Sequence, residues 1–181
     1  MKQKYEKYFE KEYDDENEQT VINEFSDVFN YNNIDNLKKE DMDYLNFSRN
    51  KHWHNIHRSK TTITTDMDKL KKSLKMLLNE KIPINKRIND IKAPKTKYYI
   101  KGFGKATLTP ILFISNPKKY GIYNSKSEKG LKKIGMHPNF EKNDKLGEKY
   151  TKINKILINL AEKYDLSLWE LDFIWYDISQ K

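Results

Sequence analysis

Apolar residues along this chain recur at the three- and four-residue spacing of helices, and no alternating run of the kind a strand needs persists. Val21, Phe25, Val28 and Phe29 fall on one side of a short helix that Thr20 is placed to cap. Leu37, Met42 and Leu45 mark a helix within residues 34–47, and its acidic start after Asp35 suits the positive end of a helix dipole. Thr65, followed by Asp68, opens a helix that carries Met67, Leu70, Leu74, Leu77 and Leu78 and ends near Asn79. Pro83 precedes a short helix through Arg87 and Ile88, and Pro94 separates that helix from a lysine-rich block. Leu146 to Tyr164 reads as a long amphipathic helix through Ile153, Ile156, Leu157 and Leu160. Ser167 and Glu170 then form a capping box, with Leu166 and Leu171 as its hydrophobic staple. A last helix should start there and bury Leu168, Leu171, Ile174 and Trp175. The expectation is an all-α protein: eight to ten helices in a single compact multi-helix domain over residues 20–181, preceded by an acidic, Tyr-rich and mobile arm over 1–19.

Composition sharpens this picture. Apolar residues make up 36% of the chain, below the usual ~45–50%, so the core must lean on its 12 Tyr, 8 Phe and 3 Trp. The absence of Cys excludes disulfides, thiolate metal sites and thiol catalysis. No apolar run approaches the ~20 residues of a membrane span, and the first residues lack the apolar core of a signal peptide. A cytoplasmic protein with no membrane partner is the expectation. Charge is unevenly placed: residues 1–46 carry a net −7, 47–94 a net +8, 95–135 a net +9 and 136–181 a net −1. A basic block concentrated in the middle of the chain attracts polyanions and speeds their capture.

The most informative stretch lies inside that block. In Tyr99-Ile-Lys-Gly-Phe-Gly-Lys-Ala-Thr107, a short helix is expected to end near Lys101. Gly102-Phe103-Gly104 turns sharply, because glycine tolerates positive φ, and a new helix starts near Lys105. The uncapped N–H groups of such a start make a ready phosphate site. Lys101, Lys105 and Lys97 add charge, and contacts of this kind position nucleic acid without reading its sequence. The expected DNA-binding residues are Lys101, Gly102, Phe103, Gly104, Lys105, Ala106 and Thr107.

Residues 100–136 resemble the helix-hairpin-helix DNA glycosylase superfamily, of the endonuclease III type. Its Leu-Pro-Gly-Val-Gly hairpin has a counterpart in Ile100-Lys101-Gly102-Phe103-Gly104. Its apolar second helix matches Thr107 to Ser115, and its following loop matches Asn116 to Gly121. Its Val-Asp-Thr-His-Val stretch matches Tyr123 to Ser127, which leads on to Leu131 and Ile134-Gly135. The resemblance implies a glycosylase-like all-α fold with a helix-hairpin-helix, double-stranded DNA as partner, and a monovalent cation held by hairpin carbonyls when DNA is bound, with no other cofactor. It also puts Asn124 where the family has its catalytic aspartate and Ala106 where bifunctional members have their lysine. Both catalytic positions are vacated. Pro110, a further departure, is expected to shorten or bend the second helix.

The expected function is therefore a non-catalytic DNA-binding module, a reader of flipped or modified bases in a restriction, defence or repair context. Trp53, Tyr123 and Asn124 form the candidate base pocket, since an amide offers both donor and acceptor and a tryptophan stacks on a base. Arg58 and Lys126 are candidate phosphate contacts. Two alternatives stay open: an active monofunctional glycosylase using another carboxylate such as Asp172, and an RNA-binding or protein-interaction domain. A nuclease or ATPase partner is also left open. His52, His54 and His57 invite a metal reading, but no carboxylate lies near them in sequence and Arg49, Lys51 and Arg58 repel a cation, so no metal is expected. Glu170 is explained by capping, and for Asp172 solvation at a helix end is expected ahead of a role as general acid or metal ligand.

Overall fold

Asp66, immediately before the Met67–Leu78 helix, accepts a hydrogen bond from the Lys69 N–H at 2.9 Å, and this side-chain cap sets where that helix begins. The computed structural model describes residues 3–10, 16–45 and 61–180, and all regular structure among them is helical. Seven α-helices are described: α1 (Glu16–Phe25), α2 (Met67–Leu78), α3 (Ile84–Lys92), α4 (Lys105–Ser115), α5 (Ser125–Ile134), α6 (Leu146–Tyr164) and α7 (Leu168–Gln180). Short 3-10 turns occupy Gln3–Tyr8, Ile34–Asn36 and Glu40–Leu45. None of the described helices is long and apolar enough to cross a membrane.

Several boundaries fall where the sequence places them. α6 runs from Leu146 to Tyr164. The capping box is made as expected, with Ser167 N–H on Glu170 Oε2 at 2.6 Å and Glu170 N–H on Ser167 Oγ at 3.1 Å. Leu168, Leu171, Ile174 and Trp175 are all buried. Other expectations shift. α1 starts before Thr20, which lies inside the helix rather than at its cap. Residues 34–45 form two 3-10 turns instead of one helix, burying Ile34, Leu37 and Met42. Tyr5 and Phe9, from the acidic N-terminal stretch, are buried too. The Phe9 ring lies 4.9 Å from that of Tyr164 and 5.8 Å, edge-on, from that of Trp175.

α5 packs on α7 and α3 on α6. The first contact depends on Gly130: a Cβ there would lie 2.3 Å from Trp175 Cε3, inside contact distance. At the second, Glu148 of α6 accepts from Asn89 Nδ2 at 2.8 Å, and Gly147 N–H donates to Asn89 Oδ1 at 2.9 Å. α4 is the central apolar helix, with Leu108 to Ile114 buried without interruption. Pro110 lies within it and does not end it. The residue removes one backbone donor, yet the helix continues to Ser115 because every side of this segment is packed.

A polar network ties the chain after α4 to its neighbours. Buried Arg87 donates to Leu77 O at 2.6 Å and to the Tyr120 hydroxyl at 2.8 Å. That hydroxyl donates to Glu80 Oε1 at 2.5 Å, and Lys119 pairs with the same carboxylate. Asn154 of α6 accepts from Gly121 N–H at 2.6 Å and donates to Lys119 O at 2.9 Å. Tyr150, wholly buried, donates to Gly121 O at 3.0 Å, and burial pushes its phenol well above its ordinary pKa.

Candidate nucleic-acid interface

The bend before α4 is built by two glycines with different jobs. Gly102 has φ of +84°, a conformation that side chains rarely adopt, and closes a turn in which Phe103 N–H donates to Ile100 O at 3.3 Å. Gly104 is the N-cap of α4 in extended conformation (φ −87°, ψ 179°), and offers no side chain to cap the helix. The first bonds of α4 run from Thr107 and Leu108 N–H to Gly104 O, each at 3.0 Å. The amides of Lys105 and Ala106 thus precede the helix's own ladder.

Lys101 and Gly102 are exposed, and Gly104, Lys105 and Ala106 are partly so. Phe103, expected among the DNA-binding residues, is 0% exposed as a whole residue and pins the bend to the core. Thr107 is likewise buried. The helix expected to end near Lys101 is not formed. α3 stops at Lys92, and residues 93–103 make a series of turns. Pro94 cannot continue α3, and side chains hold the turns instead: Thr96 Oγ1 donates to Asp90 O at 2.6 Å, and Ser73 Oγ of α2 donates to Tyr98 O at 2.5 Å.

Next to this bend sits a charged cluster. Lys105 pairs with Glu128 of α5, and Lys132 reaches the other oxygen of the same carboxylate at 3.1 Å. The bond from Lys105, helped by Lys132, holds the Glu128 carboxyl at about 2, against an ordinary 4.5, although burial pulls the other way. Lys105 Nζ also lies 4.0 Å from the centre of the Tyr123 ring. Burial, with the Glu128 charge beside it, pushes the Tyr123 hydroxyl up to about 12. Tyr123 is 3% exposed, and its N–H donates to Thr109 Oγ1 at 3.0 Å. Glu128 is the one acid in residues 95–135. Its i,i+4 spacing to Lys132 is readable in the sequence, but its pairing with Lys105 is not.

Asn124 is the N-cap of α5. Its Oδ1 accepts from Lys126 N–H at 2.7 Å and Ser127 N–H at 3.0 Å, and Ser127 Oγ accepts from Asn124 N–H at 2.9 Å, completing a capping box. Its Nδ2 donates to Asp172 Oδ1 at 2.9 Å, and Asp172 is only 6% exposed. Asp172 is therefore not solvated at a helix end as expected but buried, with the Asn124 amide as a partner. Lys126 Nζ sits 5.1 Å from the ring centre of exposed Tyr176. Trp53, Arg58 and the histidines at 52, 54 and 57 lie outside the described residues.

Among the described residues, no cluster of His, Asp or Glu is arranged to hold a metal ion. A monovalent cation on the hairpin carbonyls fits poorly, because Lys92 Nζ already donates to Phe103 O at 3.3 Å and so brings a positive charge to that spot. Comparison with family models, with curated proteins and with solved structures finds no match.

Proposed function

We propose that this domain binds double-stranded DNA through the sugar–phosphate backbone, seated on the bend at Lys101–Ala106, and that it does so as a reader without base-excision chemistry. The observation that carries the reading is the uncapped start of α4. Gly104 leaves the amides of Lys105 and Ala106 without a side-chain acceptor, beside exposed Lys101 and within the most basic part of the chain. A phosphate supplies what such a helix start lacks, a negative charge and several acceptors. The resemblance of residues 100–136 to helix-hairpin-helix glycosylases points the same way. So does their vacated chemistry: Ala106 has no amine, and Asn124 is neutral with its amide committed to a cap. Asp172, the carboxylate of the glycosylase alternative, is buried against Asn124, a poor position from which to activate water.

In this reading the contacts fall to the Lys101 side chain and to the backbone of Gly102, Gly104, Lys105 and Ala106. Lys105 acts mainly on its own fold through Glu128. Binding measured against salt tests the proposal: Lys101→Ala should weaken all duplex sequences alike and reduce the log–log salt slope by roughly one. An unchanged affinity and slope would refute the anchoring role.

A further inference from the structure

α2 carries a second basic feature, lined by none of the residues of the Lys101–Ala106 bend. Lys69, Lys72 and Lys75 recur every third residue, so they share one helix face. Together with Lys97, Tyr98 and Tyr31 they line an open groove of about 770 Å³. The groove is held by specific bonds. Ser73 fixes the Tyr98 backbone against α2, and Lys71 donates to Asp35 O at 2.9 Å while Lys75 pairs with the Asp35 carboxylate, which brings the Tyr31 segment across. Tyr31 is 42% exposed, one of two large apolar side chains left so open among the described residues. Lys75 Nζ lies 6.0 Å from its ring centre. The acids of the groove, Asp66 and Asp68, sit at the start of α2, where they complement the helix dipole and Asp66 caps it. Lys69, Lys72 and Lys97 have no carboxylate partner among the described residues.

We infer that this groove takes a short stretch of single-stranded DNA, with phosphates along the lysine row and a base on the Tyr31 ring. Cations that follow a backbone, combined with an exposed aromatic face, are what a single strand requires. A duplex keeps its base faces stacked away and would leave the tyrosine unused. The volume falls in the range of ligand-sized clefts, about 300–1,000 Å³, enough for a few nucleotides. The choice of DNA over RNA rests on the duplex reading above, whereas the groove itself does not depend on the hairpin bend.

The test is fluorescence anisotropy of the full chain with labelled oligothymidylate, oligouridylate and a duplex across a salt series, with circular dichroism confirming that each variant is folded. Lys72→Glu combined with Lys97→Glu should weaken oligothymidylate binding at least about ten-fold and lower the salt slope by about 0.7 for each lost phosphate contact. Tyr31→Ala should cost about five-fold or more, the lower end for one base–aromatic stack. Duplex affinity in Tyr31→Ala should stay within about two-fold. Lys101→Glu should do the reverse, losing duplex and sparing the single strand. If Lys101→Glu spares both, the hairpin reading fails and the groove stands. Four results would overturn the groove: no saturable oligothymidylate binding, no effect of the double charge reversal, displacement by polyglutamate as effective as by oligothymidylate at equal charge, or tighter binding of oligouridylate.

Discussion

Replacing Gly104 by Asp sets the fold and the proposed function against each other. The backbone at Gly104 is already extended, as an N-cap requires, and a Cβ there would meet nothing within 4 Å. An aspartate therefore fits, and its carboxylate accepts from the first amides of α4. Asp outranks Gly as an N-cap by a few tenths of a kcal/mol, and a negative charge at a helix start adds about 0.3–1 kcal/mol. The sum, about 0.5–1 kcal/mol, should raise Tm by roughly 1–4 °C in a chain of this size. The same carboxylate occupies the position proposed for a DNA phosphate. Two like charges 4 Å apart repel by about 1 kcal/mol in water and about 4 kcal/mol at an effective dielectric of 20. Duplex affinity at low salt should consequently fall at least about five-fold while the protein becomes more stable. Thermal melts and duplex titrations on one preparation give both numbers. A stabilised variant that binds duplex as tightly as the parent would show that no phosphate sits at the start of α4, and the proposed anchoring would be wrong.

Other perturbations probe the remaining parts. Gly130→Ala places a methyl 2.3 Å from Trp175 Cε3, and overpacking of this kind costs about 1–3 kcal/mol; a melt unchanged within error would mean that α5 and α7 are further apart than described. Asn124→Ala removes the α5 cap and one donor to buried Asp172, a loss of about 2–4 kcal/mol, whereas duplex affinity at a temperature where the variant is folded should be unaltered. Glu128 has a folded pKa depressed to about 2, so its contribution to stability is fully present above 4.5 and is lost as pH falls from there towards 2. In Glu128→Gln that part of the acid destabilisation should disappear from urea titrations taken across this range. The same substitution releases Lys105 and should strengthen duplex binding about two- to five-fold at low salt by removing an acid beside the bend; weaker binding would show that the ion pair itself shapes the site.

The parts of this structure legible in the sequence are those whose causes are local. Leu146 to Tyr164 repeats its apolar residues with little interruption, and Ser167 and Glu170 need only each other to start α7. The Gly102–Gly104 bend is legible for the same reason, since positive φ leaves glycine as the natural occupant. Regions decided by distant contacts are not. The chain from 34 to 45 has helical spacing, but it must fold round α2, and Asp35 is drawn to Lys71 and Lys75. Residues 93–103 depend on Ser73 and Asp90 from two other helices. The candidate site obeys the same rule. Its backbone shape can be read from the two glycines, whereas the inward turn of Phe103 and Tyr123, the capture of Lys105 by Glu128 and the pairing of Asn124 with Asp172 all need partners far along the chain. The groove at Tyr31 shows in the sequence only as the three-residue spacing of Lys69, Lys72 and Lys75, because its two tyrosines come from segments that meet only after folding.

The seat of Phe9 against Tyr164 and Trp175 has a consequence for how the protein is made. Tyr164 and Trp175, which receive this ring, are synthesised about 155 and 166 residues after it. At elongation rates of about 5–20 residues per second, the N-terminal segment waits roughly 10–30 s with its phenylalanine and tyrosine uncovered. During that interval it is a target for chaperones and for neighbouring nascent chains, and the arrival of α7 ends its exposure.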